Sequence, residues 1–196
     1  MHAETLEALL EKSDGVLFAR DIAKAGVPNI YLADFVKEGR LERVEHGVYI
    51  TPDVLEDRMF ILQSCKSRII YSHDTALYLH DLTDRDPLTY SITVPTGYNT
   101  KRLSEEGLVV FTIKRDLYEV GSTEVQTQFG RTVRTYNAER TLCDMLRSRN
   151  QMDGVLLPDA LKRYVRRKDK NIPLLMQYAE QFRVAKLLRQ YLEVLL

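Results

Sequence analysis

The chain is poor in cysteine, with Cys65 and Cys143 alone in 196 residues and no CxxC spacing. That excludes a disulfide framework and a cysteine-based zinc ribbon. Each cysteine sits inside a helical pattern, so two reduced, buried thiols in a cytoplasmic protein are expected. Histidine is also scarce, at four residues. No stretch approaches the ~18 uninterrupted apolar residues of a membrane span. The opening MHAETLEALLEK is acidic where a signal peptide carries a basic region, so no secretory leader is expected. Net charge is absent as well, with 28 basic residues against 28 acidic ones. The electrostatic footprint of an overall basic nucleic-acid binder is therefore missing. So are GxGxxG, Walker, GxSxG and HExxH motifs, and with them the common phosphate loops, the nucleophile elbow and the zinc-protease helix.

What is present is a globular composition, 44% hydrophobic and 29% charged, long enough for one large or two small domains. The charge is uneven. Residues 1–58 carry twelve acidic and seven basic side chains, and the remainder carries 16 acidic and 21 basic. The first domain alone should therefore hold phosphate backbone weakly.

Residues 17–50, LFARDIAKAGVPNIYLADFVKEGRLERVEHGVYI, organise the reading. A short helix with Ile22 and Ala23 inward ends at Gly26. Pro28 suits the start of a second helix, in which Leu32, Phe35 and Val36 form one apolar stripe. Gly39 stops it. Leu41 to Val44 and Val48 to Ile50 then alternate as strands, with His46-Gly47 at the turn. Helix, turn, helix and two-stranded wing is the order of a winged helix-turn-helix. In that geometry the second helix enters the DNA major groove. Its candidate DNA-binding residues are Asn29, Tyr31 and Lys37, joined by Arg40, Arg43 and His46 from the wing. Asp34 and Glu38 argue the other way, for an ordinary helix pair and hairpin.

The pattern predicts a first helix over 2–12 and an apolar run at Val16-Leu17-Phe18 that could add a strand beside the wing. Residues 53–66 read as a connecting or dimerising helix. A short strand at 69–71 and a helix over 73–82, capped by Ser72, follow. From 88 to 136 the pattern is of strands, near 88–94, 108–113, 125–128 and 132–136. Asn137 caps a helix to Arg147, and three helical patterns, 159–168, 172–182 and 184–195, close the chain. The fold class is α+β: an N-terminal winged helix-turn-helix, then a mixed α/β C-terminal domain ending in a helical bundle. The domains are 1–52, a connecting helix at 53–67, and 68–196.

Candidate chemistry is thin. His73-Asp74 and His80-Asp81 repeat an HD pair seven residues apart, which places both histidines on one helix face, as a metal site or a phosphohydrolase could want. No third His or Cys stands near them, so a polar helix face is the better reading and no metal is assigned. Asp84-Arg85-Asp86 resembles a nucleotidyltransferase carboxylate pair, but its Gly-Ser partner, Gly121-Ser122, lies downstream, so the segment reads as a solvated turn. Arg140 and Asp144, at i and i+4, read as a surface ion pair on a capped helix. The sharpest charge feature is Lys162, Arg163, Arg166, Arg167 and Lys170, a basic helix face suited to phosphate or to an acidic partner. Catalytic residues and cofactors are not expected.

The run GVPNIYLADFVKEGRLERVEHGVY, followed by SHDTALYLHDL, SITVPTGYNTKRL, NAERTLCDML, ALKRYVRRKDKN and YAEQFRVAKLLRQYLEVLL, resembles AbiEi-type antitoxins of abortive-infection (type IV) toxin–antitoxin systems. The resemblance keeps its order over nearly the whole chain. It implies a non-enzymatic bifunctional protein in phage defence. The N-terminal domain, with recognition helix 29–38 and wing 40–50, would bind inverted repeats in its own promoter and repress it. The part from about 68 to 196 would neutralise a nucleotidyltransferase-like toxin encoded beside it. A homodimer on DNA is compatible with inverted repeats. The alternative is a stand-alone winged-helix regulator with a ligand-sensing C-terminal domain.

Overall fold

The computed structural model describes residues 2–195. Among them lie eleven α-helices, one 3-10 turn and two β-sheets, a mixed α+β architecture. The chain divides into two compact units, the first ending at Ile61 and the second starting at Leu62.

The first unit runs α1 (His2–Lys12), β1 (Val16–Phe18), α2 (Ala19–Lys24), α3 (Asn29–Lys37), β2 (Glu42–Glu45) and β3 (Val48–Ile50). The apolar run at Val16 is indeed a strand: the antiparallel sheet has the order β1-β3-β2, with Val16 opposite Ile50 and Arg43 opposite Tyr49. Neighbouring residues in a strand face opposite sides, and the core divides accordingly. Leu17 packs with Leu6, Ile22, Val27, Leu32, Phe35 and Leu41. Val16 packs on the other side with Val48, Ile50 and Ile61. Gly26 closes α2 at φ +72°, in the left-handed region that glycine adopts without strain.

Four expectations need correction here. Ala23 is exposed, because in the six-residue α2 only Ile22 is buried. Val36 is 37% exposed, at the rim of the α3 stripe rather than inside it. The helix read over 53–66 is α4 (Arg58–Cys65), shortened because the Asp57 carboxylate accepts from the Phe60 backbone N–H at 3.0 Å and caps it there. Cys65, its last residue, is exposed rather than buried.

The second unit contains β4 (Ile70–Tyr71), α5 (His73–Leu79), β5 (Ser91–Pro95), α6 (Lys101–Glu105), β6 (Val109–Ile113), α7 (Arg115–Tyr118), β7 (Ser122–Gln126), β8 (Thr132–Tyr136) and α8 (Ala138–Arg147). It ends in α9 (Leu156–Arg166), α10 (Ile172–Gln181) and α11 (Ala185–Leu195). Its five-stranded sheet has the order β6-β5-β4-β8-β7. The β5–β6 and β4–β8 pairs are parallel, and the other two are antiparallel. The central strand is two residues long. Beside it the Gln63 side-chain amide acts as an extra peptide group, donating to the carbonyls of Ile69 (3.2 Å) and Arg134 (2.9 Å) and accepting from the Arg134 N–H (2.5 Å).

Helix α8 is the hub, buried at every position from Ala138 to Leu146, and α5, α9, α10 and α11 gather around it. Asn137 caps it as expected, its Oδ1 accepting from the Arg140 N–H at 2.9 Å. The ion pair expected on its surface is instead interior. Arg140 Nε donates to Asp144 at 2.9 Å, with the two side chains 0% and 4% exposed. Arg140 Nη1 donates to the carbonyls of Leu117 (3.0 Å) and Val120 (2.7 Å), and the guanidinium lies over the rings of Tyr136 (4.1 Å) and Phe182 (4.0 Å). Gly121 makes room for it, since a Cβ there would stand 2.7 Å from Arg140 Cβ.

Candidate nucleic-acid interface

The first unit presents a hollow of about 560 Å³ between α3 and the β2–β3 hairpin. Helix α3 contributes Asn29, Ala33 and Lys37, at helical spacing on one face. The hairpin contributes Arg43 and His46, and Leu32, Val36 and Tyr49 form an apolar floor. Two contacts fix the hairpin. The Ala19 backbone N–H donates to the Gly47 carbonyl at 2.8 Å, tying the turn to the start of α2. Arg43 Nη2 lies 2.9 Å from His46 Nδ1. Asn29, Lys37, Arg43 and His46 are exposed.

Four of the six residues expected to touch DNA are therefore brought together, and two are not. Tyr31 is half-buried against the core around Leu6, with its ring 5.2 Å from that of His2. Arg40 lies 4.0 Å over the Phe35 ring and is bonded to Glu7 at 2.5 Å. Reading the sequence missed Val36 and Tyr49, the floor of the hollow, because both look like ordinary core residues. It also missed Ala19, whose role comes from the fold alone. Ile30, 66% exposed in the first turn of α3, adds an apolar tip beside Asn29.

In the second unit the basic face of α9 is partly neutralised. Arg163 makes a two-pronged pair with Asp84, one contact being 2.8 Å, and this holds the Asp84 carboxyl below its ordinary range. Arg167 holds Asp169 at 2.6 and 2.9 Å, lowering that carboxyl to about 2, and also donates to the His80 carbonyl at 2.7 Å. Lys162 lies 3.7 Å from Asp159, and Lys170 donates to the Arg167 carbonyl at 3.2 Å. Arg166 is exposed.

The two histidines of the HD pairs diverge. His73 contacts the hydroxyls of Ser72 and Ser148, each at 3.0 Å, and burial brings its pKa down to about 3. His80 Nε2 donates to the Tyr136 carbonyl at 2.6 Å. Among the described residues no group of three His, Cys, Asp or Glu side chains is placed to hold a metal ion. No described helix is long and apolar enough to cross a membrane.

A comparison with curated proteins finds no match. Against family models, residues 4–52 match the transcriptional regulator domain of AbiEi antitoxins, which spans the hollow and both elements that line it. By that match, residues 4–52 of this chain are similar to the AbiEi antitoxin family of transcriptional regulators.

Proposed function

We propose that the chain is an antitoxin that also represses its own operon. In this reading the first unit is a winged helix-turn-helix, with α3 in the major groove and the β2–β3 hairpin as the wing. One observation carries it: Asn29, Lys37, Arg43 and His46 converge on the hollow between these two elements. Asn is suited to pair with adenine through N6 and N7, and Lys and Arg are suited to guanine or to phosphate. The exposed Ile30 and Ala33 offer apolar contact to thymine methyl groups. The acidic balance of residues 1–58 makes a single site weak. Two copies on inverted repeats would add their phosphate contacts, and Arg166 and Lys162 on α9 could supply more. The second unit would neutralise a nucleotidyltransferase-like toxin in the cytoplasm, with no catalysis of its own.

The test is binding of the purified chain to DNA upstream of its own gene, against scrambled duplex, over a salt series. Tight, sequence-dependent binding with a steep salt slope supports the repressor reading, and equal binding to both duplexes sinks it. Co-expression with the adjacent gene tests the antitoxin half: rescue of growth is expected, and unrelieved toxicity would refute it.

A further inference from the structure

We infer that the second unit carries a binding site for a small phosphorylated molecule, at the carboxyl ends of the parallel strands β5 and β6. The inference does not rest on the DNA-binding reading. Just beyond those strand ends lies a cavity of about 460 Å³, a size suited to a small ligand. The carboxyl ends of parallel strands are a common place for ligand crevices in α/β sheets, here at the β6 edge of the sheet.

Three cations line the cavity from three different elements. Lys114 follows β6, Arg147 ends α8, and Arg183 follows α10. Lys114 and Arg183 are exposed and no carboxylate neutralises either among the described residues. Arg147 has only a long contact of 3.4 Å, to Asp144. The hydroxyl of Thr112 and the amide of Gln181 add neutral donors. The Phe182 ring forms an apolar wall, with the guanidinium carbons of Arg140 and Arg147 4.0 and 5.6 Å from its centre. Asp116 is the one carboxylate in the lining. Converging cations and neutral donors suit an anion of two or more charges with several acceptor oxygens, which a phosphate monoester or diphosphate supplies.

The backbone carries an independent mark. Arg183 sits at φ +60°, in the position after a helix where glycine is usual. Its N–H donates to the Glu180 carbonyl at 3.1 Å, and the Val184 N–H to the Ala179 carbonyl at 2.8 Å, which completes a helix-ending motif. A long cationic residue is held at a position that disfavours any Cβ, and it lines the same cavity as Lys114 and Arg147.

The experiment is calorimetric titration of the full chain with inorganic pyrophosphate at low salt. Saturable binding is expected. It should weaken roughly tenfold or more in Lys114→Ala and in Arg183→Asn. Asn tolerates the left-handed backbone, and Lys114 is exposed, so both variants should keep the wild-type melting temperature. Lys12→Ala, at the end of α1 and outside the cavity lining, should bind as wild type does. No saturable binding at millimolar pyrophosphate overturns the proposal, and so does equal affinity in wild type and both variants. Displacement of pyrophosphate by duplex DNA from upstream of the gene would place a DNA backbone phosphate in the site and overturn the small-ligand assignment.

Discussion

The imidazole of His73 lies flat on the ring of Phe111, with centroids 3.5 Å apart and planes 15° from parallel. Its two nitrogens meet only hydroxyls, those of Ser72 and Ser148, and the Ser72 hydroxyl accepts from Thr93 at 2.9 Å. Burial, then the charges of Arg140 and Arg147, keep the ring neutral and bring its pKa from the ordinary 6.5 to about 3. The unfolded chain takes up this proton below about pH 6.5, whereas the folded chain waits until about pH 3. Stability from His73 is therefore complete above pH 6.5 and is lost as the pH falls toward 3. The slope is at most about 1.4 kcal/mol per pH unit. Denaturant titrations at pH 7, 6 and 5 should show this decline, and His73→Asn should flatten it. An unchanged slope in the variant would rule His73 out as the source.

Arg140 and Asp144 make the second unit sensitive to removal of one charge. Burial raises the Asp144 carboxyl above its ordinary value, and Arg140 and then Arg147 oppose that rise. Arg140→Met would leave Asp144 with only the long contact to Arg147 and leave the Leu117 and Val120 carbonyls without their donor. A cost of about 3–5 kcal/mol is expected, enough to move a urea midpoint strongly. The paired change Arg140→Met with Asp144→Leu should recover much of that loss, because the interior then holds no lone charge. Equal destabilisation by the single and paired changes would show that the carbonyl contacts, rather than the charge pair, are what matters.

The proposed DNA contacts can be sorted by how they fail. Lys37→Ala and Arg43→Ala should each weaken binding to the upstream DNA, and a residue that touches phosphate should lower the log–log salt slope by about one. Asn29→Ala should cost about 1–3 kcal/mol on the preferred sequence and little on scrambled DNA. Arg40→Ala should leave the salt slope unchanged, since that guanidinium is engaged by Glu7 and Phe35. A full effect at Arg40 and none at Lys37 or Arg43 would move the interface off the hollow.

The two cysteines should separate cleanly in alkylation. Cys65 is exposed at the end of α4. Cys143 is buried in the core of the second unit, and its thiol is pushed up to about 12 by burial. The thiolate is the reacting species, so iodoacetamide on the native chain at pH 8 should modify Cys65 and spare Cys143 until denaturant is added. Mass spectrometry of digests would read the result, and early modification of Cys143 would contradict the placement of α8.

Much of the fold was legible in the sequence, and the reasons for the gaps are physical. Periodicity located α3 and the hairpin, and Asn137 marked the start of α8 because its cap is a local interaction. Helices α6 and α7, of five and four residues, are too short to carry a periodic signal. The i, i+4 spacing of Arg140 and Asp144 showed that they could pair but not that the Leu117 and Val120 carbonyls and the rings of Tyr136 and Phe182 enclose the guanidinium. The basic run on α9 was visible, but its partner Asp84 lies 79 residues away. Of the six candidate DNA contacts, Asn29 and Lys37 from the face of α3 and Arg43 and His46 from the hairpin line one hollow. Arg40 departed because Glu7, on a separate helix, captures it.

The two-residue strand β4 has a consequence for how the second unit opens. Tyr71 pairs with Ile92 on one side and Thr135 on the other, and Ile70 pairs only with Thr93. The sheet is in effect two ribbons, β5–β6 and β7–β8, sewn along a seam whose stitches are Ile70, Tyr71 and the amide of Gln63. Each ribbon keeps its own five-residue ladder, so amide exchange will split the sheet lengthwise before it frays either half. A side chain on a helix thus adds three of the few hydrogen bonds that couple the two halves of the sheet.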